Sequence, residues 1–276
     1  MILNYSGKTV DLTIPKTCLK LKQNIIDELY DNNLIETVPT YEHEKFVNQV
    51  KSYETPNNLE TRKVRVIGQW MSGGADSSLL AYLLCKQIRD YSLDVKFQPL
   101  TVRRGRPNNP FYAEGVIDFI KENLDVDFIL PHKIYYPPLD NESELTEMKI
   151  FWEKDAQNFK NDLYQIVYYG ITSNPPVSAG LPKNNERIRD ENAYKPIVSR
   201  NGLKYYIFPF YHVNKKWEAE AYKDMNLLDS LYPITYSCEG DAKDTQTHTW
   251  HCGNSLPFDE QCWWCQERMR AFGRLQ

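Results

Sequence analysis

A short stretch near residue 70 combines two glycines, three hydroxyls and one carboxylate between two apolar segments. It reads SGGADSS and comprises Ser72, Gly73, Gly74, Ala75, Asp76, Ser77 and Ser78. Glycines between a strand and a helix let the backbone approach a ligand closely, and the helix start directs amide hydrogens and partial positive charge outward. Such a turn suits an anion. The serine hydroxyls can donate to phosphate oxygens, while Asp76 can bind Mg²⁺ or cap the helix.

Four of the six cysteines lie near the carboxyl terminus, at Cys238, Cys252, Cys262 and Cys265. The last two form a Cys-x-x-Cys pair, and four thiolates suit tetrahedral Zn²⁺. A redox dithiol or free buried cysteines are the alternatives, although a redox pair does not need two further cysteines nearby. We expect a closed structural zinc site, with His248 and His251 as substitute ligands or, more simply, bystanders in surface loops. Cys18 and Cys85 stand alone, Cys85 on the buried face of a helix.

Strand and helix patterns alternate after residue 63. Apolar residues predict strands at Val64–Trp70, Val95–Val102 and Val126–Leu130, and helices at Ser77–Arg89 and Phe111–Asn123. This alternation indicates right-handed βαβ units. We therefore predict an α/β protein with a doubly wound parallel sheet.

Further strands and helices are predicted before and after this alternating region. We expect a strand at Thr9–Ile14, a helix near Tyr41–Tyr53, a long helix from about Ser143 to Gly170, a strand at Lys204–Phe208 and a helix at Lys215–Asp224. The polar segment Lys183–Asn201 is interpreted as a loop over the site. Core packing is predicted for four aromatic residues on the long helix, Trp152, Tyr164, Tyr168 and Tyr169. The resulting regions are an N-terminal extension (1–60) packed on the main domain, an α/β domain (61–236) and a zinc-binding segment (237–276).

Composition limits the class of protein. The chain has 276 residues, of which 41% are hydrophobic and 25% charged, as is typical of a soluble globular protein. With 33 Lys and Arg against 37 Asp and Glu, the net charge of -4 indicates no general nucleic-acid surface. No apolar run approaches the roughly 18 residues of a membrane span, and no signal peptide is evident. We expect a cytoplasmic protein without membrane or nucleic-acid partners; its oligomeric state stays open, a homodimer included.

Basic residues near predicted strand and helix ends are further candidates for binding phosphate or carboxylate. Arg103, Arg104 and Arg106 follow the second strand of the predicted sheet, whose carboxyl end we expect beside the glycine loop at the topological switch point. There they can bind an anion bidentately or form a solvated basic loop. Lys215 or Lys216, at a helix start, can neutralise phosphate charge or be an ordinary surface lysine. Weaker candidates in the polar loop are Arg187, Arg189 and Asp190.

The SGGADSS string resembles the SGGxDS loop of the PP-loop ATP pyrophosphatases, a superfamily that includes NAD synthetase, tRNA thiolases and 7-cyano-7-deazaguanine synthase. The resemblance implies a doubly wound parallel sheet, a loop that holds the pyrophosphate of ATP, cleavage between the α- and β-phosphates with Mg²⁺, and activation of the substrate as an adenylate. By position it gives the ATP-binding role to Ser72, Gly73, Gly74, Asp76, Ser77 and Ser78. Our candidate catalytic residues are Asp76, Lys215, Lys216 and Arg103.

The carboxyl-terminal half resembles the 7-cyano-7-deazaguanine synthase family. The matching positions are Pro209, Phe210, Lys215 or Lys216, Thr235, Ser237, Cys238, Cys252, Gly253, Cys262, Cys265, Arg268 and Phe272. Together with the loop, the resemblance covers roughly residues 63–100 and 204–273. It implies a structural zinc ion and an ATP- and ammonia-dependent conversion of a 7-carboxy-7-deazaguanine into its nitrile by way of an amide.

Other segments depart from that family. The family's aromatic-Gly-Gln stretch with a following His and Glu is replaced by TVRRGRPNNPFYAEG, and NSLPFDEQ is inserted between Gly253 and Cys262. Its PxRN and YPDCR segments are replaced by DLYQIVYYGITSNPP and GLPKNNERIRD. The ATP half of the resemblance therefore transfers better than the deazapurine half. The alternatives are a tRNA-modifying or sulfur-transferring PP-loop enzyme, and a nucleotide-binding or regulatory protein with an altered pocket.

Overall fold

The computed structural model describes residues 1–31, 52–103, 109–136, 154–155, 157–176, 180–181, 199–200, 205–238, 251–254 and 256–276. Within them we name ten strands and five α-helices. The strands are β1 (Ile2–Tyr5), β2 (Lys8–Asp11), β3 (Thr17–Leu21), β4 (Leu59–Lys63), β5 (Val66–Trp70), β6 (Lys96–Val102), β7 (Lys133–Tyr135), β8 (Ile166–Tyr169), β9 (Ser199–Arg200) and β10 (Tyr205–Ile207). The helices are α1 (Gln23–Asp31), α2 (Ala75–Asp90), α3 (Asn109–Leu124), α4 (Lys215–Asp224) and α5 (Trp263–Phe272).

The central sheet has six strands in the order β7–β6–β5–β8–β10–β9. Strand β5 pairs in parallel with β6 on one side and with β8 on the other, so the chain winds outward from β5 in both directions. The β6–β7 and β8–β10 pairs are also parallel, and β9 is antiparallel to β10. Helix α2 connects β5 to β6, and α3 lies between β6 and β7. The predicted doubly wound α/β fold is confirmed, and its topological switch point lies between β5 and β8.

The two faces of the sheet bury different sets of apolar side chains. On one face α2, α3 and α4 contribute buried residues such as Leu83, Ile120 and Trp217. On the other face lie Leu100 and Val167, together with the ring of Tyr164. Because β5 and β6 are covered on both faces, most of their residues are buried and their sequences lack the alternation of a half-exposed strand.

Asp155 is fully buried on the second face and accepts hydrogen bonds from three aromatic side chains. The Trp70 indole donates to Oδ1 at 2.9 Å, the Tyr169 hydroxyl donates to Oδ2 at 2.7 Å, and the Tyr164 hydroxyl donates to Oδ1. Hydrogen bonds to a charged acceptor each contribute about 1.5–3 kcal/mol. Because Trp70 and Tyr169 end β5 and β8, the carboxylate ties the helical segment that precedes β8 to two neighbouring strand ends.

The amino-terminal segment forms a hairpin that packs on α4. Its two-residue turn consists of Ser6 and Gly7, whose φ values of 48° and 71° are those of the type I′ turn favoured in hairpins. The rings of Tyr5 and Trp217 are 5.2 Å apart at their centroids, and the Tyr5 hydroxyl donates to Asp224 at 2.7 Å. The antiparallel β3–β4 pair forms a second small sheet, with β4 spanning the predicted region boundary at residue 60.

The helix predicted from about Ser143 to Gly170 is wrong from residue 161 onward, and residues 143–153 lie outside the described part of the chain. A helical turn covers residues 157–160, and Asp162 then takes a positive φ of 55°, which ends it. The chain goes on to form β8, which inserts between β5 and β10. Its Ile-Val-Tyr-Tyr run carries no alternation that distinguishes it from a buried helix. Tyr168 and Tyr169, which end β8, therefore lie on a strand and not on the predicted helix. Tyr164 and Tyr168 are fully buried, as predicted.

The strand predicted at Val126–Leu130 is also misplaced. In that range an isolated parallel bridge joins Ile129 to Phe97, and ladder pairing with β6 resumes only at β7. Pro131 lies between the two and has no N–H to donate, which interrupts the ladder.

The other predicted elements agree better with the structure. Strands β5, β6 and β10 and helices α2 and α3 lie within two residues of their predicted bounds, and α4 has the predicted ones. Strand β2 overlaps the predicted Thr9–Ile14 but ends three residues earlier. Helices α1 and α5 and the β3–β4 pair were not predicted. The helix near Tyr41–Tyr53 and the loop Lys183–Asn201 fall almost wholly outside the described residues, as does Trp152. None of the described helices combines the length and apolarity needed to cross a bilayer.

Candidate functional site

The glycine loop follows the carboxyl end of β5 and leads directly into α2. Gly73 has a φ of +75°, and a Cβ at this position would lie 2.4 Å from Tyr112 Cβ on α3, so the backbone geometry requires glycine. Gly74 is the N-cap of α2 and contributes no side chain to it. At the end of β8, a Cβ on Gly170 would lie 2.7 Å from Ser77 Cα. The loop is therefore held between α3 and β8, with the start of α2 at the carboxyl edge of the sheet.

The three serines of the loop hydrogen-bond within it. The hydroxyls of Ser77 and Ser78 donate to the Gly74 carbonyl at 3.2 and 2.7 Å. The backbone N–H of Ser72 donates to Ser77 Oγ at 3.2 Å, and Ser72 Oγ accepts from Gly74 N–H at the same distance. Ser77 and Ser78 are buried, whereas Ser72 is exposed. In this conformation Ser77 and Ser78 shape the loop, and Ser72 is the serine open to a ligand.

A buried polar contact fixes the strand end that leads into the loop. The Thr101 hydroxyl donates to the Met71 carbonyl at 2.8 Å and lies 2.8 Å from His132 Nε2. Since the Thr101 proton is committed to Met71, His132 Nε2 is assigned as the donor to Thr101 Oγ1. Burial lowers the pKa of His132 to about 4, so its ring is neutral at physiological pH. Glu114 Oε1 lies 3.8 Å from the other ring nitrogen, Nδ1.

Asp76 and Lys215 form a buried ion pair beside the loop. The Thr172 hydroxyl donates to Asp76 Oδ2 at 3.0 Å. Lys215 Nζ also lies 3.9 Å from Glu218 Oε2 and 3.9 Å from Glu267 Oε2. One ammonium and three carboxylates thus meet at the start of α2, a set that can contact phosphate and a divalent cation. Thr172, Glu218 and Glu267 were not predicted, because they come from separate segments and no short motif marks them.

The other basic candidates make no hydrogen bond or ion pair with the loop among the described residues. Lys216 is exposed, and its backbone N–H donates to the helix cap Asn214 Oδ1 at 3.0 Å. Arg103 is exposed at the end of β6, with its guanidinium carbon 5.8 Å from the centroid of the Tyr136 ring. Within the described part of the chain, no hydrogen bond or ion pair joins Arg103 to the loop. Of the two lysines, the structure brings Lys215 to the loop. The candidates outside the described residues are Arg104, Arg106, Arg187, Arg189 and Asp190.

The four carboxyl-terminal cysteines form one cluster, in which all sulfur atoms lie within 4.8 Å of one another. The Sγ atoms of Cys238 and Cys262 are 3.8 Å apart. A tetrahedral site with Zn–S bonds of about 2.3 Å has sulfur–sulfur edges of about 3.8 Å, so Cys238, Cys252, Cys262 and Cys265 fit one metal ion. Burial raises the pKa of Cys252 to about 11, so a bound cation is what would favour its thiolate.

His251 connects this cluster to the glycine loop. It was expected in a surface loop, and that expectation is wrong, because its side chain is fully buried and Nδ1 lies 3.6 Å from a cluster sulfur. Its ring packs on Tyr236 at a centroid distance of 4.9 Å, and Tyr236 stacks on Tyr112 at 4.6 Å with the planes 4° apart. The Tyr236 N–H donates to the Gly73 carbonyl at 2.8 Å. His248 lies outside the described residues.

The sheet order and the loop place this chain in the class of doubly wound α/β proteins with a glycine turn at the carboxyl edge. No protein-family model and no curated protein matches it. Solved structures are similar to it, including the following two. One is a U34-tRNA thiolase, NcsA, from Methanococcus maripaludis with its 4Fe-4S cluster, at 14% identity and a TM-score of 0.39, covering 67% of this chain and 64% of the thiolase. The other is an NAD⁺ synthetase from Burkholderia pseudomallei, at 13% identity and a TM-score of 0.31, covering 92% of this chain and 90% of the synthetase.

Proposed function

We propose that this chain binds Mg²⁺-ATP at the glycine loop and cleaves it between the α- and β-phosphates, as the PP-loop ATP pyrophosphatases that the loop resembles do. The observation that carries the proposal is the Asp76–Lys215 ion pair at the start of α2. Helix amides there attract an anion, and the pair places a cation and a carboxylate beside it. The loop contains no lysine of the Walker A type, and Lys215 supplies that charge from α4 instead.

The residues at the loop would have two tasks, which are to bind Mg²⁺-ATP and to stabilise the charge that develops as pyrophosphate leaves. The start of α2 and the Lys215 ammonium stabilise the negative charge that grows on the departing pyrophosphate. Asp76 is the carboxylate placed to hold Mg²⁺, which when bound neutralises phosphate oxygens. With Mg²⁺ held by Asp76, the Lys215 ammonium would be free to contact phosphate. A substrate oxygen attacks the α-phosphorus, and the bond to pyrophosphate breaks. An acceptor nucleophile then attacks the activated carbon of the adenylate, and AMP leaves.

For the cysteine cluster we propose one structural Zn²⁺. A 4Fe-4S cluster places each thiolate on a different iron atom, which holds the sulfurs farther apart than one tetrahedral ion does. Sulfur separations within 4.8 Å therefore favour the single ion. Four thiolates complete its coordination, so the ion takes no part in the chemistry.

As substrate we propose a carboxylate of the 7-carboxy-7-deazaguanine type, with ammonia as the nitrogen donor. The support is the shared Thr235-x-Ser237-Cys238 segment and the cysteine pattern that follows it. Sulfur transfer is the less favoured alternative, because a persulfide carrier must be accessible and the two cysteines outside the cluster, Cys18 and Cys85, are both buried. Six cysteines without a disulfide accord with the cytoplasmic location that we propose.

The test is an assay of the products of ATP with 7-carboxy-7-deazaguanine and ammonia. We expect AMP and pyrophosphate in equal amounts, dependent on Mg²⁺, with formation of an amide or nitrile. Formation of ADP and phosphate as the main products would contradict α–β cleavage. AMP release that depends on a sulfur donor and tRNA would favour the thiolase alternative. ATP binding without any cleavage would favour a regulatory protein.

A further inference from the structure

Helix α5 connects the cysteine cluster to the glycine loop. Cys262 is its N-cap and Cys265 lies in its first turn, so the cluster fixes where the helix begins. The next turn carries Glu267 and Arg268, which are 2% and 0% exposed. Neither residue is a cluster ligand, and both side chains reach toward the start of α2.

Arg268 holds the segment that lies on the loop. Its Nη2 donates to the carbonyl and the hydroxyl of Thr235 at 3.2 and 2.8 Å, and Nη1 donates to Ser237 Oγ at 3.3 Å. Ser237 Oγ in turn lies 3.5 Å from the Ala75 N–H, the first residue of α2. Between these two contacts, the Tyr236 N–H donates to the Gly73 carbonyl at 2.8 Å. The segment from Thr235 to Ser237 is therefore held between the guanidinium and the loop backbone.

Glu267 provides a second contact from the same turn of α5. Its Oε2 lies 3.9 Å from Lys215 Nζ, the ammonium that pairs with Asp76. Two consecutive residues of α5 thus contact the two groups that flank the start of α2.

A metal ion in the cysteine cluster would link α5 to the segment from Thr235 to Cys238 a second time, in addition to the Arg268 hydrogen bonds. Cys238 directly follows Ser237, and Cys265 lies one turn before Arg268, so a single ion bound to both cysteines fixes both partners of the Arg268–Ser237 hydrogen bond. We propose that occupancy of the cysteine cluster sets the geometry of the phosphate loop, with Arg268, Glu267 and Ser237 as positioning residues. Its consequence for nucleotide affinity rests on the proposed function; its consequence for loop order does not.

The first experiment compares hydrogen exchange in the zinc-loaded and chelator-treated chain without nucleotide. We expect faster exchange of the amides of residues 72–78 after zinc removal, with β6 unchanged as an internal reference. In parallel, calorimetry with a non-hydrolysable ATP analogue and Mg²⁺ should show an affinity loss of about tenfold, within the range of ordinary coupling between sites. Unchanged loop exchange on zinc removal would overturn the proposal.

Because zinc removal can unfold the whole segment, Ser237→Ala provides the second test. It should retain about one zinc per chain, since all four thiolates remain, yet show faster exchange at residues 72–78 and weaker analogue binding. Arg270→Gln is the matched control, because Arg270 is exposed on the same helix and its guanidinium packs on Phe258 instead. Wild-type exchange in zinc-loaded Ser237→Ala would overturn the proposal. If zinc removal accelerated exchange in the loop of a chain that bound no ATP, the proposed function would be refuted, but the proposed effect of the cysteine cluster on the loop would stand.

Discussion

Lys215 forms a buried ion pair with Asp76 although 139 residues of sequence separate them. Lys215 begins α4 and Asp76 lies in the first turn of α2, so the pair joins the amino-terminal ends of two helices that share one face of the sheet. Both residues are nearly inaccessible, at 3% and 8% exposed. The Lys215 ammonium is therefore a cation held close to the loop, and its loss leaves buried carboxylates behind.

We expect Lys215→Met to lower the free energy of unfolding by about 3–5 kcal/mol, since removing one partner of a buried ion pair leaves an uncompensated charge. Urea denaturation measures this change. Lys223→Met is the control, because Lys223 is exposed on the same helix and should leave the midpoint unchanged. Equal midpoints for the two variants would show that Lys215 is not the compensating charge.

Asp76→Asn should keep the fold, since the amide has the same size and Lys215 retains Glu218 and Glu267 as neighbours. We expect Mg²⁺-dependent release of pyrophosphate to fall by about 100-fold or more, as for the loss of a group that stabilises transition-state charge. The measurement is a pyrophosphate assay at saturating Mg²⁺, with circular dichroism as the fold control. Wild-type turnover would reduce Asp76 to a structural partner of Lys215.

Gly73→Ala should lower the free energy of unfolding by more than about 2 kcal/mol, because it forces a side chain into the left-handed region and against Tyr112. Gly115→Ala is the matched control, since a Cβ there meets nothing within 4 Å and α3 gains about 0.5–1 kcal/mol from alanine. Denaturation of both variants gives the comparison. If Gly73→Ala were as stable as Gly115→Ala, the tight approach of the loop to α3 would be wrong.

His132 should make the protein less stable in acid. Its pKa is lowered to about 4 from 6.5 by burial, with a smaller contribution from Lys121. Between those values the unfolded chain binds a proton that the folded chain does not, so stability is full above about pH 6.5 and falls as the pH drops toward 4. The expected loss is about 3 kcal/mol. His251, with its pKa lowered to about 3, contributes in the same direction.

Comparison with His132→Gln isolates this residue, because the carboxylates and His251 titrate in both proteins. Urea denaturation between about pH 4 and pH 7 should give a shallower decline for the variant. Parallel stability curves would mean that His132 takes up its proton in the folded state as readily as in the unfolded chain.

Asp155→Ala should destabilise the protein by about 3 kcal/mol or more, because the indole of Trp70 and the hydroxyls of Tyr164 and Tyr169 lose a buried acceptor. Thermal unfolding is the measurement. Asp94→Ala is the control, since the Asp94 side chain is 78% exposed and pairs with Lys63 at the surface. If Asp155→Ala had the same melting temperature as Asp94→Ala, a structural role for the buried carboxylate would be contradicted.

The sequence was informative where local rules decide the structure. Helix α4 has its predicted bounds, since Asn214 is a favourable N-cap and the apolar residues of the helix recur on one face. The glycine loop was predicted from the SGGADSS string between a strand and a helix, because glycines there let the backbone approach a ligand closely. The cysteine cluster was predicted from ligand type and spacing alone, and its four sulfurs converge.

The features that the sequence did not predict depend on contacts between residues that are far apart in the chain. Periodicity could not separate β8 from a buried helix, because its burial depends on β5 and β10 on either side. The choice between Lys215 and Lys216 depended on which side of α4 faces α2. The environment of Asp155 brings together a strand end, a helical segment and Tyr164, and no local pattern relates these positions.

The glycine loop precedes Lys215 and the segment around Ser237 in the sequence, so the ribosome synthesises the loop before these partners. At synthesis rates of about 5–20 residues per second, the 139 residues that follow Asp76, up to and including Lys215, take roughly 7–28 s to be made. During that interval the nascent glycine loop has neither its ammonium nor the segment around Ser237 against its backbone. On the proposed function, a ribosome-bound chain that stops before α4 should be unable to retain ATP, so the nucleotide would not assist the early folding of β5 and α2.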